Sequence, residues 1–432
     1  MPDRLPAPAP VSSFSCSAYR HDTPRVQGTP VPSKGQPLIL PLLSPPRLLI
    51  SCGEPSGDLY GGELLRHLRP RLAGLEAFGL GGDHLQAEQV RLLGHVRDLA
   101  VVGIVEVVRH LGSLRRIFKR VLAEVDRQRP DLAVLVDYPS FNLRLARQLK
   151  RRGVPVAYYI SPQIWAWKGW RIREIQRNVA HMLVIFPFEQ EIYARAGVPV
   201  TFVGHPLVDL VRPAPDREAF LGSAGLDPSR PVVAVLPGSR TTEVRYNMPP
   251  LAAGIRLLAG RRPDLQFLLA VGPHLHPPTL RDAVRGLPVV LAAGQTHAVL
   301  GAATVALVAS GTATVEAALL GTPMVVVYRV SPLTYAVGRP MVHVPHVAMA
   351  NLIAGREVVR ELIQGDFTPE RVCGEVLALL DNPARLAQVR EELGQVRTRL
   401  GQPGASDRAA EAVVKYFFNL RDKNIDMVGG YM

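Results

Sequence analysis

Short runs of valine, leucine, isoleucine and alanine alternate with longer amphipathic stretches from Arg47 onward, and this alternation leaves few folds open. Strands are expected at 47–51, 76–80, 132–136, 155–160, 182–186 and 200–203, then at 231–236, 265–271, 288–291, 304–309 and 323–328. Runs such as Leu132-Ala133-Val134-Leu135-Val136 and Pro231-Val232-Val233-Ala234-Val235-Leu236 are apolar without a break. Parallel strands buried on both faces have that pattern; a sheet with one wet face alternates instead. Helical patterns lie between nearly all of them, which predicts doubly wound α/β units.

The two sets of strands are separated by the polar stretch 209–230, which carries Pro213, Pro215, Gly222 and Pro228. This predicts two Rossmann-like halves, 47–212 and 225–400, whose strand C-termini face a central cleft. The last helical patterns, near 368–381, 383–400 and 407–420, have no strand between them. Residues 401–432 are expected to form a C-terminal helix packing back toward the first half, then an unstructured tail from Asp422. Residues 1–46 hold eleven prolines and almost no periodicity, and read as a disordered extension. Prolines interrupt Leu38 to Leu43, so a signal peptide is not indicated.

Net charge is +13 and the pI is about 10.0. Arginine supplies most of the basic residues, a bias discounted here as a sign of function. The remaining excess points to an acidic partner: nucleic acid, an anionic membrane surface or phosphorylated substrates. No nucleic-acid module is recognisable. Cys16, Cys52 and Cys373 form neither a metal spacing nor a disulfide framework, as suits a reducing compartment. No apolar run reaches the roughly 18 residues that span a bilayer.

The chemistry concentrates at strand-to-helix turns. Ser51-Cys52-Gly53-Glu54-Pro55-Ser56-Gly57-Asp58 follows an apolar strand and precedes a helical run. Small, glycine-bearing turns there let backbone approach a ligand, and open α/β sheets bind ligands at such places. The turn lacks both the dinucleotide and the ATP-loop glycine patterns and carries two carboxylates, Glu54 and Asp58. A helix start capped by Ser56 or Asp58 is equally compatible. Asp137 closes the strand 132–136 and is a candidate general base, or a turn-forming Asp. Leu236-Pro237-Gly238-Ser239-Arg240 offers backbone N–H groups, a hydroxyl and a guanidinium to a phosphate. Ser310, Gly311 and Thr312 open another helix after a strand, and Glu316 falls one turn in, where a carboxylate can bind ribose hydroxyls. A capping arrangement is the other reading of that segment. His205 ends a strand near the linker and suits a structural or a site role. All three tryptophans, Trp165, Trp167 and Trp170, fall in one loop and suit sugar stacking, a bilayer interface or core packing.

Residues 101–129 begin with an apolar patch, including Val102, Ile104 and Val105. Arg115, Arg116 and Lys119 then interleave with apolar residues such as Phe118. This is the pattern of a basic amphipathic helix on an anionic membrane, or of a core helix with a solvated basic face.

These segments together resemble lipid-A-disaccharide synthases. The matching motifs are Gly53-Glu54-Pro55-Ser56-Gly57-Asp58, Val102-Gly103-Ile104-Val105-Glu106-Val107, Asp137-Tyr138-Pro139-Ser140-Phe141-Asn142, Ser161-Pro162-Gln163-Ile164-Trp165-Ala166-Trp167 and Phe186-Pro187-Phe188-Glu189. Val203-Gly204-His205-Pro206 completes the first half, and in the second they are Leu236-Pro237-Gly238-Ser239-Arg240, Ser310-Gly311-Thr312-Ala313-Thr314-Val315-Glu316, Asn351-Leu352-Ile353-Ala354-Gly355 and Glu361-Leu362-Ile363-Gln364. They run in the family's order over about 47–370.

The resemblance implies a GT-B fold and an inverting glycosyl transfer. UDP-2,3-diacylglucosamine would be joined to 2,3-diacylglucosamine 1-phosphate (lipid X), giving the disaccharide 1-phosphate of lipid A biosynthesis and UDP. It implies no cofactor and no metal at the nucleotide site. Asp137 would be the base, with Glu54 and Asp58 on the acceptor side. Ser56, Arg240, Ser310, Gly311, Thr312, Glu316, Asn351, Gln364 and Trp165 would touch substrate. Val102, Ile104, Val105, Arg115, Arg116, Phe118 and Lys119 would dock peripherally on the inner face of the inner membrane. A homodimer is compatible, and no nucleic-acid partner is implied. The chain departs from the family pattern at Ala350 and Arg360, where prolines are usual, and in Gly81-Gly82-Asp83-His84-Leu85-Gln86, which keeps only the glycines. A nucleotide-sugar 2-epimerase, a transferase for another glycolipid acceptor and a non-catalytic relative are the competing readings.

Overall fold

The structure is a computed structural model that describes residues 45–99, 104–165, 169–214, 216–272, 277–339 and 344–429. The proline-rich extension, apart from Pro45 and Pro46, lies outside the described residues. Seven strands form the first sheet: β1 (Arg47–Cys52), β2 (Glu76–Gly81), β3 (Arg91–His95), β4 (Leu132–Val136), β5 (Val156–Tyr159), β6 (His181–Val184) and β7 (Val200–Phe202). Six form the second: β8 (Val232–Leu236), β9 (Gln266–Val271), β10 (Val289–Ala293), β11 (Val305–Ala309), β12 (Met324–Tyr328) and β13 (Arg360–Ile363).

The strand orders are β3-β2-β1-β4-β5-β6-β7 and β10-β9-β8-β11-β12-β13. Every pairing is parallel. Each sheet therefore reverses its winding direction once, between β1 and β4 and between β8 and β11. Helices on either side of a reversal diverge and leave a crevice at the strand C-termini. Register sets Cys52 beside Val136 in one sheet and Leu236 beside Val308 in the other. The four turns singled out in the sequence, at Gly53, Asp137, Gly238 and Gly311, follow these four strands. The two doubly wound parallel sheets are what the alternation predicts, and their pairing is the GT-B arrangement that the resemblance implies.

Every expected strand is present, and β3 and β13 are additional. Both are edge strands, and their burial is broken: Arg91 and Arg360 are exposed, and Leu93 and Leu362 are the buried positions in each. Half-solvated edges do not read as continuous apolar runs.

Several helices begin with proline at the first turn, where no N–H is missed: Pro55, Pro139, Pro187, Pro369 and Pro383. One hydrophobic core is continuous from β1 and β4, through Val203 to Val211, to β8, β11 and the helix Thr312–Leu319. The linker therefore belongs to the core. The C-terminal helix, Ala405–Gly429, runs past Asp422, correcting the expected unstructured tail. Its first N–H groups, from Gly404 and Ala405, donate to Asp209 of the linker at 2.6 and 2.9 Å. Asp407 then binds His67 in the last turn of the helix Pro55–Leu68 and Arg71 just beyond it. A carboxylate at a helix start meets the N–H donors that lack helical partners.

Candidate active site

The turn after β1 is shaped by contact. A Cβ on Gly53 would lie 2.0 Å from the Tyr138 ring, so only glycine fits under that ring. Glu54 is the extended N-cap residue of the helix Pro55–Leu68. Its carboxylate points away from the helix, and Arg240 Nη2 donates to its Oε2 at 3.0 Å. This ion pair bridges the two halves across the cleft and joins residues 186 positions apart.

Arg240 begins the helix Thr241–Arg261 and is also held by Glu243, with Nη1 3.4 Å from Oε1. The N–H groups of Ser239 and Arg240 donate to Glu243 Oε2 at 2.9 and 3.3 Å. The sequence suggested those N–H groups as phosphate donors. They are instead consumed within the turn, and the guanidinium is the donor this turn presents. Asn247 fixes the turn from behind: its Nδ2 donates to the Pro237 carbonyl and its Oδ1 accepts from Arg329 N–H.

Asp137 lies at the C-terminus of β4 in left-handed backbone, φ 46°, and Tyr138 follows at φ 50°. The carboxyl is pushed up to about 7, first by burial and second by the negative charge of Glu54; the Tyr138 N–H and then Arg240 oppose this. Desolvation and a like charge both favour the neutral acid. A carboxylate tuned near neutrality in a cleft suits proton transfer.

In the second half, Gly311 takes φ 147°, and Gly311 and Thr312 are exposed at the start of the helix Thr312–Leu319. Ser310 Oγ donates to the Val347 carbonyl at 2.9 Å. Glu316 is half-buried, 3.8 Å from His297 Nε2, and its charge reaches Tyr60 of the first half. His297 was not singled out from sequence.

A family model described as lipid-A-disaccharide synthetase matches residues 48–416. The chain belongs to the lipid-A-disaccharide synthase family. It is therefore a glycosyltransferase enzyme. The lipid-A-disaccharide synthase of Myxococcus xanthus is 44% identical over 377 residues, covering 87% of this chain and 98% of that one. Among solved structures, a UDP-GlcNAc 2-epimerase from Neisseria meningitidis bound to UDP-GlcNAc is similar in fold, with TM-score 0.60 at 13% identity, covering 85% of this chain and all of that one. The glycotransferase of kitacinnamycin gives TM-score 0.57 at 20% identity, covering 85% and 98%.

Within this family member, the cleft collects Glu54, Asp137, Arg240 and, at the ends of β11 and its helix, Ser310 to Thr312 and Glu316. Ser56 is half-buried in the first turn of its helix. Four expected residues take other roles. Asp58 is buried, and its carboxylate accepts from the N–H groups of Gly82, His84 and Leu85 at 2.6, 3.0 and 3.2 Å. It caps the short helix Asp83–Ala87 instead of meeting the acceptor. Asn351 is fully buried; Nδ2 donates to Val359 O and Glu361 Oε1, and Oδ1 accepts from Val358 and Val359 N–H. An amide has two donor protons and two lone pairs, so none is left for substrate.

Trp165 donates its ring N–H to buried Glu189 at 3.1 Å and packs edge-on against Phe188, which ties it into the fold instead of a sugar face. Glu189 is pushed up to about 7 by burial. Phe118 turns inward, edge-on to Phe141 at 5.3 Å, while Arg115, Arg116 and Lys119 are exposed. Val102 and Trp167 lie outside the described residues, and Ile104 and Val105 open the helix Ile104–Gln128. Gln364, half-buried, has φ 54°, with its carbonyl held by Arg329 at 2.9 Å. His205 is buried and neutral, pushed down to about 3 by burial, and accepts from Leu207 N–H.

Glu361 was quoted from sequence only as part of a motif. Its carboxylate accepts from Val347 N–H, Ala348 N–H and Asn351, so it shapes the loop that covers Ser310. Among the described residues no group of three His, Cys, Asp or Glu side chains could hold a metal, and no helix is long and apolar enough to cross a membrane.

Proposed function

We propose that this family member joins UDP-2,3-diacylglucosamine to 2,3-diacylglucosamine 1-phosphate with inversion, releasing UDP and the β-1,6-linked disaccharide 1-phosphate. The observation that carries the mechanism is the meeting of Asp137 and Glu54, from the first sheet, with Arg240 from the second. Inversion needs one base on the acceptor hydroxyl and positive charge at the departing diphosphate. Asp137 takes the hydroxyl proton as the acceptor oxygen bonds the donor C1. The C1–O bond to the diphosphate breaks, and UDP leaves with the electron pair. Arg240 and the exposed N-terminus of the helix Thr312–Leu319 meet that charge, and Glu316 holds the ribose hydroxyls. Gln364 and Ser56 line the donor and acceptor sides.

Both substrates carry acyl chains and reside at a membrane. Exposed Arg115, Arg116 and Lys119 support peripheral docking on the anionic inner face of the inner membrane. Replacing the three with glutamate should weaken co-sedimentation with vesicles containing anionic lipid. Wild-type sedimentation by that variant would discard the docking role. A homodimer, compatible with the family resemblance, is the second partner in this proposal, checked by analytical ultracentrifugation.

The transfer itself is tested by acceptor dependence. Detergent-dispersed UDP-2,3-diacylglucosamine should release UDP only when lipid X is present. Equal release without lipid X would mean hydrolysis, and conversion to an epimeric nucleotide sugar would mean an epimerase.

A further inference from the structure

The backbone that carries Asp137 is held in a conformation that its sequence does not favour. Asp137 and Tyr138 are consecutive non-glycine residues in the left-handed region, at φ 46° and 50°. Such residues persist there only when their surroundings over-determine them. Here the surroundings are two buried side chains. Asn142 Nδ2 reaches the carbonyls of Asp137, Val136 and Ser51 at 2.8, 3.1 and 3.1 Å, its two protons shared among the three. Its Oδ1 accepts from Ser51 Oγ at 2.7 Å. The Tyr158 hydroxyl donates to the same Asp137 carbonyl at 2.6 Å. Asn142 and Tyr158 are both fully buried, so neither touches a substrate in the cleft.

We infer that Asn142, assisted by Tyr158, is a positioning residue for the base: it grips the Asp137 carbonyl and ties the β4 turn to the end of β1. The inference rests on the reading of Asp137 as base. The amide is the one small side chain that donates twice and accepts at once from a single site. Through Ser51 it also fixes the strand end that leads into Gly53 and Glu54, and the Tyr138 ring lies over Gly53. The two carboxylates of the cleft thus share one anchor.

The groups that set the charge around Asp137 come from every element packed against it. Glu54 of the turn after β1, the Tyr138 N–H and Arg240 from the second half act on its charge, while Cys52 of β1, Tyr60 of the following helix and Tyr158 of β5 face it and are themselves pushed up, in part by its charge. Loosening the anchor lets the carboxyl swing toward water and away from this set.

The test compares Asn142→Ala and Tyr158→Phe with Asp137→Asn in the full chain, each checked for cooperative thermal unfolding. Misplacement by about 1 Å costs about 100-fold in rate, so Asn142→Ala should lose about that much kcat with unchanged UDP affinity. Tyr158→Phe removes a single hydroxyl and should lose less. In both, the acidic limb of kcat should move below its wild-type position near pH 7, toward the ordinary carboxylate range. A purely structural role would lower the amount of folded enzyme and leave that limb in place. Folded Tyr158→Phe with wild-type kcat and a wild-type limb overturns the inference, even where Asn142→Ala fails to fold. Asp137→Asn with wild-type turnover overturns the base reading itself, whatever the other two show.

Discussion

Replacing Asp137 by asparagine should make the protein inactive and, above pH 7, more stable. The folded carboxyl is raised from 3.8 to about 7. Between those values the native state holds a proton that the unfolded chain has released. Stability contributed by this site is therefore present at low pH and lost as pH rises through about 7. At pH 8 the charged carboxylate opposes folding by about 3 pKa intervals, or about 4 kcal/mol as a ceiling. Water reaching this half-buried group screens part of that, so a gain of about 1–3 kcal/mol is expected on neutralising it. Asparagine keeps the shape and carries no charge, so the gain should appear at pH 8 and fade toward pH 4. The assay is urea unfolding of both proteins at pH 5 and pH 8, comparing midpoints at equal slope. Turnover should fall by about 10²–10⁴-fold in the same variant. An equal gain at both pH values, or none at pH 8, would refute the idea that the carboxyl is strained by desolvation and Glu54.

Three further outcomes follow from the same geometry. Glu54→Gln removes a charge that raises Asp137 and the cross-cleft partner of Arg240, so the acidic limb of turnover should move down from about pH 7 and UDP affinity should rise; a limb left in place contradicts the pairing. Glu316→Ala should weaken UDP binding about tenfold by calorimetry, and unchanged affinity would discard the ribose role. Asn351→Ala should cost about 2–4 kcal/mol in urea unfolding, because it strips the side-chain partner from Val359 O and from the buried N–H groups of Val358 and Val359, while UDP affinity of the folded protein stays unchanged.

The fold was legible because its central strands are buried on both faces and need unbroken apolar runs, as Leu132–Val136 and Val232–Leu236 show. The edge strands Arg91–His95 and Arg360–Ile363 escaped because solvent takes half of their side chains. The cleft turns were legible for a related reason. A strand that ends at a winding reversal hands over to a helix through glycine, serine and aspartate, and Gly53, Asp137 and Gly311 mark those places.

What sequence could not show is where a polar group finds its partner. Asp58 and Glu54 are four residues apart in one motif. The first is spent on backbone N–H groups of Gly82 to Leu85, and the second reaches Arg240. Asn351 and Trp165 read as ligand contacts until their partners, Glu361 and Glu189, come into place. Asn142 stood in a quoted motif without a role, because its role depends on a left-handed turn that only the backbone reveals.

The most direct test of the account is the product itself. Purified protein is given both acylated substrates, and the glycosidic product is followed by mass spectrometry, with its anomeric coupling read by NMR. The account predicts a β-linked disaccharide 1-phosphate in amount equal to the UDP released. A retained anomer, or UDP released with no disaccharide, would contradict it.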